Sequence, residues 1–246
     1  RGQVGRAPPA DGPVIACRHD PRAVTRKRHG ADEVRVRVCP FPFFPSFLYR
    51  VLFFVTIIKK YSEKDILQSG LFYKNEKYNK FINRFNSRII FPIKSITGEI
   101  IAFGGRIIKS DKLAKYINSP ETEFYKKGRH IFNLDKAKST PNRSEQVIIV
   151  EGYMDVISIY SSGIKNVVSN SGTALTENQI NLIWNFFSYP IVCLDGDLSG
   201  QKASLRIAEN LIQFIKDDKK IGFVSLPNGM DPDDFIKEKG KSSLEE

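Results

Sequence analysis

Three acidic clusters in this chain each follow a run of apolar residues. Val147-Ile148-Ile149-Val150 leads into Glu151-Gly152-Tyr153-Met154-Asp155, and Ile191-Val192-Cys193-Leu194 leads into Asp195-Gly196-Asp197. Phe223-Val224-Ser225-Leu226 leads, through Pro227 to Met230, into Asp231-Pro232-Asp233-Asp234. Taken singly, each cluster has an ordinary structural role. Asp197 suits a helix N-cap, Glu151 sits near a helix start, and Asp231-Pro232 reads as a turn. Taken together they point to chemistry. Carboxylates gathered in one place repel one another, and hard divalent cations with oxygen ligands, Mg²⁺ above all, relieve that repulsion. Asp195 and Asp197 stand two apart, so in extended chain their side chains point the same way, and Gly196 allows a tight turn between them.

Gathering the clusters requires a particular arrangement of elements. Gln146–Val150 is a continuous apolar strand, as expected where both sheet faces are covered. Tyr153–Tyr160 reads as helix, Asn166–Ser169 as a short strand, and Thr176–Phe187 as an amphipathic helix capped by Thr176. Ile191–Leu194 is a third strand, Gln201–Ile215 a helix, and Gly222–Leu226 a fourth strand. Strands alternating with helices imply an α/β fold with a mostly parallel sheet and right-handed crossovers. The carboxyl ends of such strands share one edge, where sites collect. Upstream, Ser62–Leu67 predicts a short capped helix ending near Gly70, and Arg88–Ile93 pairs with Ile100–Phe103 through a turn at Ser95–Gly98.

Composition narrows the function class. The 246 residues carry 38 Lys+Arg against 27 Asp+Glu, a net charge of +11, and are 41 % hydrophobic. That apolar content excludes wholesale disorder, and three scattered cysteines exclude a disulfide framework, so a reducing cytoplasm is the expected compartment. The basic surplus favours a polyanionic partner, nucleic acid first. Residues 1–50 hold nine Arg and one Lys, whereas the remainder is Lys-rich. Residues 1–57 therefore read as a basic, Pro/Arg-rich leader outside the fold, residues 58–143 as a basic α/β subdomain, and residues 144–246 as a second α/β domain. Cys17, His19, His29 and Cys39 do not form the two close ligand pairs of a zinc ribbon. The apolar stretch Phe41–Ile58 is interrupted by Pro42, Pro45 and Arg50, which disfavours a membrane span, and no membrane partner is expected.

The longer wording is more specific. Arg88-Ile-Ile-Phe-Pro-Ile93, Phe103-Gly-Gly-Arg106, Asn118-Ser-Pro-Glu-Thr122, Glu151-Gly-Tyr-Met-Asp155, Asp195-Gly-Asp197 and Asp231-Pro-Asp233 stand in that order. From about Tyr61 to Glu246 the chain resembles the catalytic core of the DnaG family of bacterial replicative DNA primases, whose second half is a Toprim domain. The resemblance implies a DNA-directed RNA polymerase activity, a nucleotidyl transfer that makes RNA primers on single-stranded DNA from ribonucleoside triphosphates, with Mg²⁺ or Mn²⁺. Carried over by motif, Glu151, Asp195 and Asp197 are the catalytic and metal-site carboxylates, with Glu151 the candidate acid/base. Asp231 and Asp233 complete the metal patch, and Asp155 stays close to it.

The same resemblance makes Arg88, Arg106, Lys115, Tyr116, Asn118 and Lys127 the nucleic-acid or nucleotide-binding face, since interleaved basic, amide and aromatic groups can track a phosphate backbone and stack a base. Lys109 and Lys112 read instead as solvated surface, Phe91, Phe103, Ile183, Trp184 and Phe187 as core, Cys193 as inert, and His130 as without a catalytic role. Family members begin with a zinc-ribbon module and dock a replicative helicase through a C-terminal domain. This chain matches neither module, so a Toprim domain truncated at its C-terminus is expected. Two readings compete with a primase core: a nucleic-acid-binding fragment without autonomous activity, and a Toprim nuclease. The wording from Arg88 to Arg129 argues against the nuclease, which has no need of that preceding unit.

Overall fold

The computed structural model describes residues 59–108, 113–140, 145–172 and 174–245, and the leader 1–57, Lys109 and Lys112 lie outside them. Helix α1 (Glu63–Gln68) begins at Ser62, whose hydroxyl accepts the Asp65 N–H while the Asp65 carboxylate accepts the Ser62 N–H. This is the expected capping box. A hairpin follows, β1 (Phe72–Asn75) with β2 (Lys80–Asn83). Sequence reading did not anticipate it, because two four-residue strands of mixed polarity carry no clean alternation. Strands β3 (Arg88–Lys94) and β4 (Ile100–Ile107) pair antiparallel as expected, and the Gly98 N–H closes their turn on the Ser95 carbonyl at 3.0 Å. A third strand, β5 (Tyr116–Asn118), was also unforeseen. It pairs with β4 so that Tyr116 stands opposite Arg106 and Asn118 opposite Gly104.

After helix α2 (Leu134–Ala137) the chain alternates. Strand β6 (Gln146–Val150) is followed by α3 (Tyr153–Ser161), β7 (Val167–Ser169), α4 (Glu177–Trp184), β8 (Tyr189–Cys193), α5 (Leu198–Leu211), β9 (Gly222–Val224), α6 (Pro232–Lys239) and α7 (Ser242–Glu245). The four strands form an all-parallel sheet in the order β7-β6-β8-β9. From β6 the chain steps outward to β7, then returns to the other side of β6 to place β8. The carboxyl ends of β6 and β8 therefore flank the point where strand order reverses, which is where open α/β sheets bind ligands.

Both sheet faces are covered, which explains the unbroken apolar strands. Val147, Ile149, Val192 and Leu194 pack with Ile180 and Ile183 of α4 and Ile207 and Leu211 of α5. Ile148, Val150 and Cys193 pack on the opposite side with Val156 and Ile159 of α3 and Ile236 of α6. The antiparallel sheet shares a smaller core with the parallel one: Phe91, Ile93, Ala102 and Tyr125 pack around Tyr153, the first residue of α3. Residues Tyr61–Glu246 together form one compact unit.

Element boundaries differ from expectation at several places. Helix α5 starts at Leu198 rather than Gln201, because Asp197 caps it through the Gly200 N–H at 2.8 Å. Helix α4 ends at Trp184, and the Phe186 and Phe187 N–H groups turn back onto the Ile183 carbonyl. The run Asp231–Asp234 opens a helix rather than a simple turn: Asp231 caps α6 and Pro232 occupies its first turn, where a missing N–H costs nothing.

One glycine decides whether the acidic clusters can meet. The Gly196 N–H donates to the Met230 carbonyl at 2.8 Å, docking the loop that carries Asp231 against the end of β8. A β-carbon on Gly196 would collide with the Pro227 carbonyl and lie 2.8 Å from the Leu226 carbonyl oxygen. Backbone cannot yield as a side chain does. Gly196→Ala is therefore expected to destabilise the fold by about 1–3 kcal/mol, read as a lower melting temperature; a melting temperature equal to the parent's would show that the loop gives way freely.

Candidate active site

Glu151 follows the last residue of β6, and Asp195 lies just past the end of β8. Together with Asp155, Asp231 and Asp233 they line an open cavity of about 410 Å³, whose opposite wall is Arg106, Lys115, Tyr116 and Asn118 from β4, β5 and the residue before β5. Gly152, Met154, Ser171 and Gly172 complete the lining. A negative floor thus faces a positive and aromatic wall.

The floor is electrostatically loaded. Burial, with Asp195 and Asp197 beside it, pushes the Glu151 carboxyl up. Burial, then Asp231 and Asp197, does the same to Asp195. Asp155 goes furthest, to about 6: burial dominates, the Gly152 N–H opposes it by donating to the carboxylate at 3.0 Å, and Asp231, Asp195 and Asp233 add to it. Asp233 moves the other way. Burial alone would raise it, but hydrogen bonds from Lys237 and Ser158, with the charges of Lys237 and Arg106, hold it below the ordinary range. The Lys237 ammonium donates to it at 2.6 Å.

Oxygen donors under mutual repulsion suit a hard divalent cation. Asp231, Asp233 and Asp234 each offer a carboxylate oxygen, all within 4.8 Å of one another. Asp231 also accepts the Asp234 N–H at 2.7 Å, so its other oxygen remains for a cation. Asp197 does not line the cavity. Its carboxylate caps α5, yet its charge still reaches Glu151 and Asp195.

On the wall, the Tyr116 ring lies 5.8 Å from the Arg106 guanidinium and 5.8 Å from the Lys115 ammonium. Burial raises the Tyr116 phenol, Arg106 opposes, and Asp155, Asp233 and Asp231 add to the rise, so the ring spans wall and floor electrically. Two residues expected on this face do not line the cavity. The Arg88 guanidinium donates to the carbonyls of Ala114 at 2.8 Å and of Gly105 and Lys115 at 3.3 Å, tying the β4–β5 connection together. Lys127 lies in the 3₁₀ turn Lys127–Arg129, where its carbonyl accepts the Gln179 amide at 2.9 Å. Cys193 is buried with its thiol pushed up to about 12, which keeps it inert. His130 stacks on Tyr125 at 5.6 Å.

Sequence reading missed Ser171 and Gly172. A signal existed: Asn170-Ser171-Gly172 directly follows a predicted strand, and strand carboxyl ends are where this sheet collects its site. The loop is pinned to Glu151, whose carbonyl accepts the Ser169 hydroxyl at 2.6 Å and the Gly172 N–H at 3.0 Å.

Both halves of the chain match known families. Residues 46–138 match the family model for the DNA primase catalytic core, N-terminal domain, and residues 148–236 match the Toprim-like model. The first match begins inside the segment read as leader. DNA primase of Pseudomonas aeruginosa is 38 % identical over 181 residues, covering 74 % of this chain and 27 % of that protein. The structure of a DnaG primase catalytic domain bound to single-stranded DNA is similar with a TM-score of 0.71 at 32 % identity, over 78 % of this chain and 60 % of that one. The E. coli primase catalytic core is similar with a TM-score of 0.69 at 34 % identity, over 74 % of this chain and 57 % of that one. The chain spans 27–33 % of the length of the curated relatives it matches. No helix among the described residues is long and apolar enough to cross a membrane.

The raised Asp155 carboxyl sets a pH dependence. Its stabilising contribution is fully present below about pH 4, where it is protonated in folded and unfolded chain alike, and is lost as pH rises through about 6. In metal-free buffer, Asp155→Asn should therefore match the parent near pH 4 and exceed it at pH 8, by on the order of 2–3 kcal/mol. Added Mg²⁺ should narrow the difference. Thermal melting across this range checks it, and a gap between variant and parent that does not change with pH contradicts it.

Proposed function

The chain belongs to the DnaG family of bacterial DNA primases, and from that premise we propose that it carries out metal-dependent RNA primer synthesis on single-stranded DNA, joining ribonucleoside triphosphates by nucleotidyl transfer. One observation carries the reading: the carboxylates of Glu151, Asp195, Asp231 and Asp233 line one cavity opposite Arg106, Lys115 and Tyr116.

In the reaction the 3′ hydroxyl of the growing primer attacks the α-phosphorus of a triphosphate, and pyrophosphate leaves. Mg²⁺ or Mn²⁺, when held by Glu151, Asp195, Asp231 and Asp233, supplies charge neutralisation for the triphosphate and lowers the pKa of the attacking hydroxyl. The chain's own residues do the rest. Glu151, whose carboxyl is pushed up by burial and by Asp195 and Asp197, is the group placed to take the proton of the attacking hydroxyl. Arg106 and Lys115 draw the phosphates of template and triphosphate toward the floor, and Tyr116 offers a face for a base. Asp197 acts indirectly, holding the start of α5 and so the backbone that carries Asp195. The neighbour bound to single-stranded DNA supports a single-stranded template for this chain as well.

Two measurements test this. The chain should extend an oligoribonucleotide annealed to single-stranded DNA when given ribonucleoside triphosphates and Mg²⁺, and Asp195→Asn with Asp197→Asn should abolish extension while leaving the melting temperature equal or higher. Asn caps a helix as well as Asp, and two repelling charges are gone. Near-parental synthesis by the double variant would refute the assignment, and strand cleavage without triphosphates would replace it with a nuclease.

Lys115→Ala should weaken single-stranded DNA binding for all sequences and flatten the log–log salt dependence by about one unit. Lys127→Ala should do less, because Lys127 does not line the cavity. Equal affinities and slopes for Lys115→Ala and the parent would return Lys115 to solvated surface.

A further inference from the structure

The wall and the floor of the cavity come from different sheets, so their separation must be set by something. Asn118, at the end of β5, has both ends of its side-chain amide engaged across the gap. Its Oδ1 accepts the Tyr153 hydroxyl at 2.7 Å, and its Nδ2 donates to the Ser171 carbonyl at 3.1 Å. Tyr153 stands two residues after Glu151, and Ser171 lies in the loop whose neighbours Ser169 and Gly172 both donate to the Glu151 carbonyl. The bridge therefore reaches Glu151 from two directions. Its other end is equally short: Asn118 is two residues from Tyr116 in the same strand.

The ring beneath the hydroxyl is held independently. Tyr153 stacks on Phe91 at 5.1 Å and 10°, and meets Phe132 edge-on at 4.8 Å. A β-carbon on Gly104, the residue paired with Asn118, would lie 2.6 Å from that ring. Gly104 thus leaves room for the ring beside the strand that carries Arg106. The Ser171 backbone takes a left-handed φ of 61°, which presents its carbonyl at a local conformational cost.

We propose that Tyr153 and Asn118 are positioning residues: their hydrogen bond fixes the basic strand over the carboxylates before any ligand arrives, so that a primer terminus aligned by the wall meets the floor in reacting geometry. Tyr153 does not line the cavity, and Asn118, expected on the binding face, has both ends of its amide taken by protein. This rests on the reading of the cavity as a primer-extension site. Misplacement by about an ångström can cost on the order of 100-fold in rate without loss of binding, so the signature of such a bridge is a fall in turnover rather than in affinity.

The test is a double-mutant cycle on the whole chain with Tyr153→Phe, which keeps the ring packing, and Asn118→Ala. Each single variant should lower kcat for extension of an annealed oligoribonucleotide roughly 10- to 100-fold. For Tyr153→Phe the KM for the triphosphate and the Kd for single-stranded DNA should stay within about twofold, and the double variant should be no worse than the poorer single one. A kcat for Tyr153→Phe within about twofold of the parent overturns the proposal. So does a loss confined to template affinity, or two losses that multiply. Amide exchange separates this outcome from failure of the function itself. Tyr153→Phe should speed exchange at Ser171 and Gly172 and leave the β6 amides unchanged, whether or not the parent extends primers. Unaltered exchange at Ser171 and Gly172 overturns the bridge, while an inactive parent with altered exchange overturns only the primer-extension reading.

Discussion

Like charges at one sheet edge separate unless the backbone beneath them is rigid, and here the backbone is rigid because the sheet is covered on both faces. Glu151 and Asp195 leave β6 and β8 next to Val150 and Cys193, which are fully buried. The apolar packing that holds those strands exceeds the repulsion of a few carboxylates in a solvent-facing cavity. The third cluster arrives by a different route. Leu226 and Ile236, on either side of Asp231, are buried with Cys193 and Val156, and the Gly196 N–H holds the intervening loop through the Met230 carbonyl. The repulsion that remains shows in the raised carboxyls of Glu151, Asp155 and Asp195, and a divalent cation bound there would relieve it.

The acids also serve the fold. Asp197 caps α5, Asp231 caps α6, and Asp155 accepts the N–H of Gly152 ahead of α3. Capping and cation binding are compatible because a carboxylate has two oxygens and a helix N-terminus stabilises its charge. The helix starts therefore lower the cost of assembling an acidic floor. Asp233 is held instead by Lys237, and that pair must rearrange or share if Asp233 is to ligate a cation.

Tyr153 links the two sheets physically. It begins a helix of the parallel sheet yet sits in the core of the antiparallel one. Movement of the basic strand relative to the carboxylates would have to break aromatic packing as well as hydrogen bonds. That rigidity suits a reaction in which positioning and electrostatics supply most of the rate.

Much was legible in the residues alone. A mostly parallel sheet, both of its covered faces, and Glu151, Asp195, Asp231 and Asp233 at one edge follow from apolar runs ending in acids, because a run of four or five apolar residues has few stable places other than a doubly covered strand. The capping box at Ser62 and the cap at Thr176 follow from local spacing. Only the tertiary structure decided what each acid and each basic residue faces. Asp197 has the same D-x-D spacing whether it lines the cavity or caps a helix, and a three-residue strand such as β5 has too short a pattern to declare itself. Arg88 and Lys127 read like Lys115 in composition, yet the Arg88 guanidinium is committed to backbone carbonyls and Lys127 stands in a turn outside the cavity lining. Side-chain direction depends on contacts such as Tyr153 with Asn118, 35 residues apart, and contacts at that separation are set by how the elements pack rather than by any local pattern.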